Sequence, residues 1–270
     1  MNRKKGIYLL ALLAVVGFCG CAETAARTGG RLAVSQKSRA AAQMTSDKLD
    51  PDGQALYQEK QAAEPSVSQS FAAALSVAKT LDQFIIVETE SEDSTTAIVT
   101  MHEKREGSWV EILRTEGYVG YNGIAKEQEG DGKTPSGLYG LSVPFGTKAD
   151  PGSILPYTQI DDSYWWVGDY ESDFFNRLCQ DDDPDRDWKL DAKESEHLVE
   201  IDGYEYCLFI EYNTEGQKNK GSCIFLHCIG DNPPTLGCVA VPQEDMIRIL
   251  QSVREGCRIL IDTTKNLSRY

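Results

Sequence analysis

From residue 81 onward, short apolar runs alternate with turns rich in Gly, Pro, Asn and Asp. Phe84-Ile85-Ile86-Val87, Ala97-Ile98-Val99-Thr100-Met101 and Trp109-Val110-Glu111-Ile112-Leu113 are dense in β-branched and aromatic residues, and the last follows a Glu106-Gly107-Ser108 turn. Runs of this length and composition predict strands arranged as a meander. Tyr204 to Tyr212 predicts a further long strand, and Ser222 to Ile229 another. Only one stretch carries a clear helical period: after Pro242, the residues Met246, Ile249, Leu250 and Val253 fall on one face until Gly256 stops it. Cys257 to Ile261 returns to strand. The pattern predicts a mainly β domain over 81–270 with a few short helices.

The segment before residue 81 reads differently. Asn2-Arg3-Lys4-Lys5 is a charged start, and Ile7 to Phe18 is an apolar run shorter than the ~20 residues a membrane-spanning helix needs. This predicts a signal peptide over 1–20 and an exported chain. The run ends in Phe18-Cys19-Gly20-Cys21, which resembles a bacterial lipobox, although Phe18 and Cys19 are unusual upstream residues. The resemblance implies diacylglycerol on Cys21 and a cell-envelope protein anchored to the membrane; an ordinary cleaved signal or an uncleaved anchor also leaves the remainder outside the cytoplasm. Residues 21–80 read as a tether, largely disordered, because Ala, Ser, Thr, Gln and Lys dominate and little apolar surface is available to bury. Phe71 to Lys79 predicts one short helix within it.

Composition narrows the function. The chain has 270 residues, 41% of them hydrophobic, which suits a folded core, and a net charge of −15. Without residues 1–20, which carry Arg3, Lys4 and Lys5 and no acid, the charge is more negative still, so a nucleic-acid partner is excluded. Gly132-Lys133-Thr134 is not a phosphate loop: Glu127 stands where the first glycine belongs and Pro135 removes an N–H. Asp183 to Glu194 has the spacing of calcium-loop ligands, but Trp188 replaces the glycine of the turn, and a solvated acidic loop is the reading. His227, Cys228 and Cys238 lack paired zinc-ligand spacing. No metal or cofactor is expected. His102 and His197, among charged neighbours, are read as surface residues; Tyr164-Trp165-Trp166, with Tyr170 and Phe174-Phe175-Asn176 close behind, are read as core or as the lining of a cleft, core being the commoner place for large aromatics.

The candidate chemistry lies in Ile224 to Val241. On a strand from Ser222 to Ile229, alternation sends Cys223, Phe225 and His227 to one face and Ile224, Leu226 and Cys228 to the other. Asp231-Asn232-Pro233-Pro234 turns the chain, and Thr235-Leu236-Gly237-Cys238 leads into a second apolar run that returns Cys238 beside the imidazole. Gly237 permits a tight backbone and exposes amide N–H groups. A thiol beside an imidazole, with N–H donors for an oxyanion, is the equipment of covalent acyl transfer.

His227 followed by Thr235-Leu236-Gly237-Cys238 resembles the signature of the L,D-transpeptidase catalytic domain, in which a histidine precedes a Ser/Thr-His-Gly-Cys element. Gly130-Asp131-Gly132-Lys133-Thr134-Pro135-Ser136-Gly137-Leu138-Tyr139 is similar to that family's Gly-x-Thr-Pro-x-Gly-x-Tyr/Phe segment. The resemblance covers the chain from about Leu81. It implies an L,D-transpeptidase-type β-sandwich and peptidoglycan stem peptides as partners. It makes Cys238 the nucleophile and His227 the proton donor and acceptor, with backbone N–H groups of Gly237 and Cys238 for the oxyanion. The implied reaction expels a terminal D-alanine through a thioester and makes 3→3 cross-links, or with water acts as an L,D-carboxypeptidase. Leu236 stands where many members have histidine and Ala240 where Arg or Asn is common, and the His-to-Cys interval is short; these departures bear on substrate choice.

Other readings of the same residues remain open at this point. The cysteines at 179, 207, 223, 228, 238 and 257 are an even set, as in a disulfide framework, which makes Cys238 half a bridge. A sortase keeps its histidine farther upstream and an arginine soon after the cysteine, and a papain-like protease has the opposite order. A wall-binding lipoprotein that kept the fold and lost turnover is the non-enzymatic alternative.

Overall fold

The computed structural model describes residues 71–190, 192 and 194–270. The charged start, Cys21 and the tether to residue 70 lie outside the described residues.

The meander forms as expected: β1 (Gln83–Thr89), β2 (Thr96–Arg105) and β3 (Ser108–Tyr118) pair antiparallel in succession. The remaining strands are β4 (Gly137–Gly146), β5 (Thr158–Gln159), β6 (Tyr164–Trp166), β7 (Leu178–Gln180), β8 (Glu196–His197), β9 (Cys207–Ile210), β10 (Phe225–Cys228), β11 (Val239–Val241) and β12 (Arg258–Thr263). Among the described residues, one sheet of nine strands runs β12-β1-β2-β3-β11-β10-β9-β4-β5. It closes on itself because β12 also pairs with β4, making a mainly β sandwich whose two leaves share strands at their edges.

The interior of this closed sheet is apolar. Ile85, Val87, Val99, Met101, Leu226, Val239 and Ile259 meet there with Met246, Ile249 and Leu250 of helix α2 (Gln243–Leu250). The helical spacing after Pro242 exists to present these side chains to the core. β1 is buried on both faces, which is why its run is continuous rather than alternating. Its other face, with Phe84 and Ile86, is covered by helix α1 (Phe71–Ala74), a 3₁₀ turn at Ser76–Lys79 and helix α3 (Thr264–Leu267), through Ala72, Leu75, Ala78 and Leu267. Residues 71–80 are thus packed onto the domain.

Two local expectations change. Tyr204 to Tyr212 is a strand only over Cys207–Ile210, since Gly203 has φ +86° and Asn213 has φ +52° and the chain turns at both ends. His102 is not a surface residue: the alternation of β2 puts it with Thr100 on the face of Phe84, where it is 3% exposed and lies 5.7 Å from the Phe84 ring between centroids.

Between β4 and β9 an insertion carries the small sheet β7-β6-β8. It lies on the outer face of β9 and β10, where Trp166 packs against Phe209 at 4.6 Å and Phe225 at 4.8 Å between centroids. Tyr204, Cys207, Cys223 and Cys238 share this second apolar cluster. The insertion therefore forms a wall around Cys238.

Candidate active site

The alternation along β10 is visible in the two clusters. Ile224, Leu226 and Cys228 enter the interior, whereas Cys223 and Phe225 join Cys238 on the outer face. β11 pairs parallel to β10 with Leu226 opposite Val239 and His227 opposite Ala240. Cys238, one residue before β11, thereby shares a face with His227. Both line one pocket of about 680 Å³, with Tyr204, Glu196 and Leu236. Cys238 is 7% and His227 8% exposed, while Leu236 at the rim is 81% exposed.

All six cysteines of the described residues are free, so Cys238 is a thiol and not half of a cystine. Its Sγ accepts from the Phe225 N–H and donates to the Cys223 carbonyl, each at 3.3 Å. Cys223 sits at φ +55°, a left-handed conformation that costs a residue with a side chain about 1–2 kcal/mol. Its N–H donates to Asn176 Oδ1 at 3.2 Å, the same oxygen that takes the Trp166 Nε1–H at 2.9 Å. The insertion thus helps to hold the backbone that faces the sulfur.

The backbone of Cys238 is clamped from the other side. The Cys238 carbonyl accepts from Thr235 Oγ1 at 2.7 Å and from Thr134 Oγ1 at 3.0 Å, and Thr134 in turn accepts from the Gly120 N–H at 2.8 Å. Thr134 is fully buried. The glycine-rich segment that contains it owes its shape to Asp131, which accepts from Lys126 Nζ at 2.8 Å and from the N–H groups of Glu127, Gln128 and Lys133. Burial alone disfavours the Asp131 carboxylate, but these donors outweigh it and hold its pKa at about 2. Lys126 is therefore held in an ion pair with Asp131, and the segment serves as a clamp.

Gly237 has φ +152°, and a Cβ there meets the Lys133 carbonyl at 3.0 Å. Its N–H is occupied by Thr235 Oγ1 at 3.2 Å. Among the described residues no hydrogen bond engages the Cys238 N–H, which leaves that amide to a ligand. Gly203, unremarked in the sequence, approaches the imidazole: a Cβ would lie 2.5 Å from the Cys228 carbonyl and 3.2 Å from His227 Nδ1.

His227 Nδ1 lies 2.7 Å from the Cys228 carbonyl, with the Gly203 carbonyl as a second acceptor. Carbonyls accept only, so the ring proton belongs on Nδ1 and Nε2 carries the lone pair. Burial lowers the imidazole to about 4, against the pull of those carbonyls and Asp202. Burial raises the Cys238 thiol to about 12, with the Glu196 carboxylate adding to it and Phe225, Tyr204 and Lys126 partly opposing. At neutral pH the resting pair is therefore thiol and neutral imidazole. Among the described residues no hydrogen bond joins them in this state.

With this geometry in view, comparison with known proteins identifies the class. The family model for the L,D-transpeptidase catalytic domain (YkuD) matches residues 111–261, more than half of the chain, and the chain belongs to that family. Among solved structures it is similar to the helical cell shape determining protein Pgp2 from Campylobacter jejuni, at 16% identity and a TM-score of 0.36, covering 67% of this chain and 48% of that one. Bdellovibrio bacteriovorus Bd1075 gives 15% and 0.35, with coverage of 70% and 52%. A mutant Enterococcus faecium L,D-transpeptidase gives 12% and 0.32, with coverage of 67% and 50%. The chain spans about half the length of these proteins. No curated protein matches it.

Thr134→Val removes the hydroxyl that links Gly120 to Cys238 and leaves buried polar groups without partners, which costs about 1–3 kcal/mol. Urea unfolding checks this, and Thr134→Ser retains most of the stability. The neutral His227 also predicts a pH effect. Its folded pKa lies below the ordinary 6.5, so its contribution to stability is fully present above pH 6.5 and is lost as pH falls towards about 4. His227→Gln therefore shows a smaller loss of unfolding free energy between pH 7 and 4.5 than the parent; an equal loss contradicts the buried neutral state.

Proposed function

We propose that this chain is a cysteine acyltransferase acting on peptidoglycan stem peptides, exported and held at the membrane through a lipid on Cys21, with residues 21 to about 70 as a tether. The observation that carries the reading is a free Cys238 thiol on the same face and in the same pocket as the Nε2 lone pair of His227, within a domain of the L,D-transpeptidase family.

The resting charges set the order of events. Because the thiol is neutral, attack on the carbonyl before the terminal D-alanine requires its proton to pass to His227 Nε2 as the C–S bond forms. A rotation of the Cys238 side chain away from the Cys223 carbonyl brings the sulfur to the base. The developing oxyanion is met by the Cys238 N–H, held in place by the threonine clamp on the same residue's carbonyl. The imidazolium then returns the proton to the departing D-alanine amine, and the thioester remains. An amine from a neighbouring stem attacks it, loses a proton to Nε2 and regenerates the thiol, giving a 3→3 cross-link. Water in place of that amine gives L,D-carboxypeptidase activity from the same residues.

The test is incubation with muropeptides bearing tetrapeptide stems, read by mass. Loss of D-alanine with dimers is the expected result, and Cys238→Ala abolishes both by at least about 10³-fold, the scale of losing a covalent nucleophile. Loss without dimers assigns hydrolysis, and unchanged substrate favours a wall-binding protein without turnover.

A further inference from the structure

Glu196 and Tyr204 take no part in the steps above, yet both face the reacting sulfur from the insertion. Tyr204 is 3% exposed, its hydroxyl donates to Glu196 Oε2 at 2.9 Å, and it shares the apolar cluster and the pocket of Cys238, with no hydrogen bond to the sulfur among the described residues in this state. Its ring stands edge-on to His227, 5.2 Å between centroids. A phenol has one proton to give. While Glu196 is ionised, the carboxylate holds that proton and the phenol has none to give the sulfur, whose own proton goes to the Cys223 carbonyl. With a proton on Glu196, the carboxyl donates to the phenol oxygen and the Tyr204 O–H is released to donate to a thiolate.

We propose that protonation of Glu196, relayed through Tyr204, governs the reactivity of Cys238: the protonated carboxyl favours the thiolate and the ionised carboxylate favours the thiol. Glu196 and Tyr204 are positioning residues in this scheme, which rests on Cys238 being the reacting thiol. The relay moves no net charge beyond the single proton that Glu196 exchanges with solvent through the pocket it lines.

The surroundings place the switch in a useful range. Burial raises the Glu196 carboxyl to about 7, Glu129 across the pocket adds to this, and the Tyr204 hydroxyl opposes it. The other groups around it are Lys126, paired with Asp131; Cys223 before β10; His227 on β10; Cys207 on β9; and Asp202 and Glu194 in the adjoining loops. His227 titrates at about 4, and burial pushes Cys207, Cys223 and Tyr204 well above their ordinary values. His197, next along β8, stacks on Trp165 on the opposite face and is held by the Asp162 carbonyl and Glu200.

The rate of Cys238 alkylation by iodoacetamide in the full chain, followed on its own peptide by mass spectrometry from pH 5.5 to 8.5, tests the relay. The parent is expected to show two limbs, each rising tenfold per pH unit, offset by about tenfold across a flattened section near pH 7, as a one-unit change in thiol pKa requires. Glu196→Gln gives one straight limb continuing the low-pH line, about tenfold faster than the parent at pH 8, and Glu196→Asp restores the flattening. An unbroken line in the parent, which needs no variant to fold, overturns the proposal. So does a break that survives in Glu196→Gln, which assigns the effect to another group such as His197. Because alkylation needs no peptidoglycan, a failed muropeptide reaction and a failed relay are separate results.

Discussion

The parallel pairing of β10 with β11 is the constraint on which the site depends. A strand presents alternate residues to one face, so once Leu226 is opposite Val239, Cys238 and His227 must share a side of the sheet. A shift of that pairing by one residue would send the sulfur into the interior. The register is protected from both directions: Val239 and Val241 are buried in the core, and two threonine hydroxyls grip the Cys238 carbonyl. The cleft is therefore assembled on the most constrained part of the sheet, and the segment from Gly120 to Thr134 serves it without chemistry of its own.

The same burial that fixes the geometry decides the electrostatics. With the thiol pushed up to about 12 and the imidazole down to about 4, a resting thiolate–imidazolium pair is unfavourable, and the protein keeps an uncharged pair at neutral pH. A neutral thiol is also a poor nucleophile towards oxidants and disulfides. Reactivity then depends on what the pocket does when a carbonyl displaces the Cys223 contact, and the inserted sheet supplies the groups that adjust it.

Much of the fold and the shared face of Cys238 and His227 were readable in the sequence, because each rests on a local signal. The meander strands are dense in β-branched residues, α2 has one apolar face, and the alternation through Cys223, Phe225 and His227 appears intact as a split between two clusters. What could not be read depends on contacts distant in sequence. Thr134 was visible as part of a glycine-rich segment, but its bond to Cys238 spans 104 positions. Glu196 and Tyr204 lie around strands of two to four residues, too short to carry a period, and nothing local says that the insertion folds back over β10. His102 misleads for a related reason: its charged neighbours Glu103, Lys104 and Arg105 suggest a surface, and only the pairing of β2 with β1 sets it opposite Phe84 on a covered face.

The most direct test of the central claim, that Cys238 is the reacting thiol of the pocket, is covalent trapping of the intact protein with a carbapenem, the class of acylating agent that the family resemblance implies. Mass spectrometry of the digested adduct should place a single acyl group on the peptide containing Cys238, with Cys207, Cys223 and Cys228 unmodified. No adduct at Cys238, or acylation of another cysteine in its place, would contradict the account.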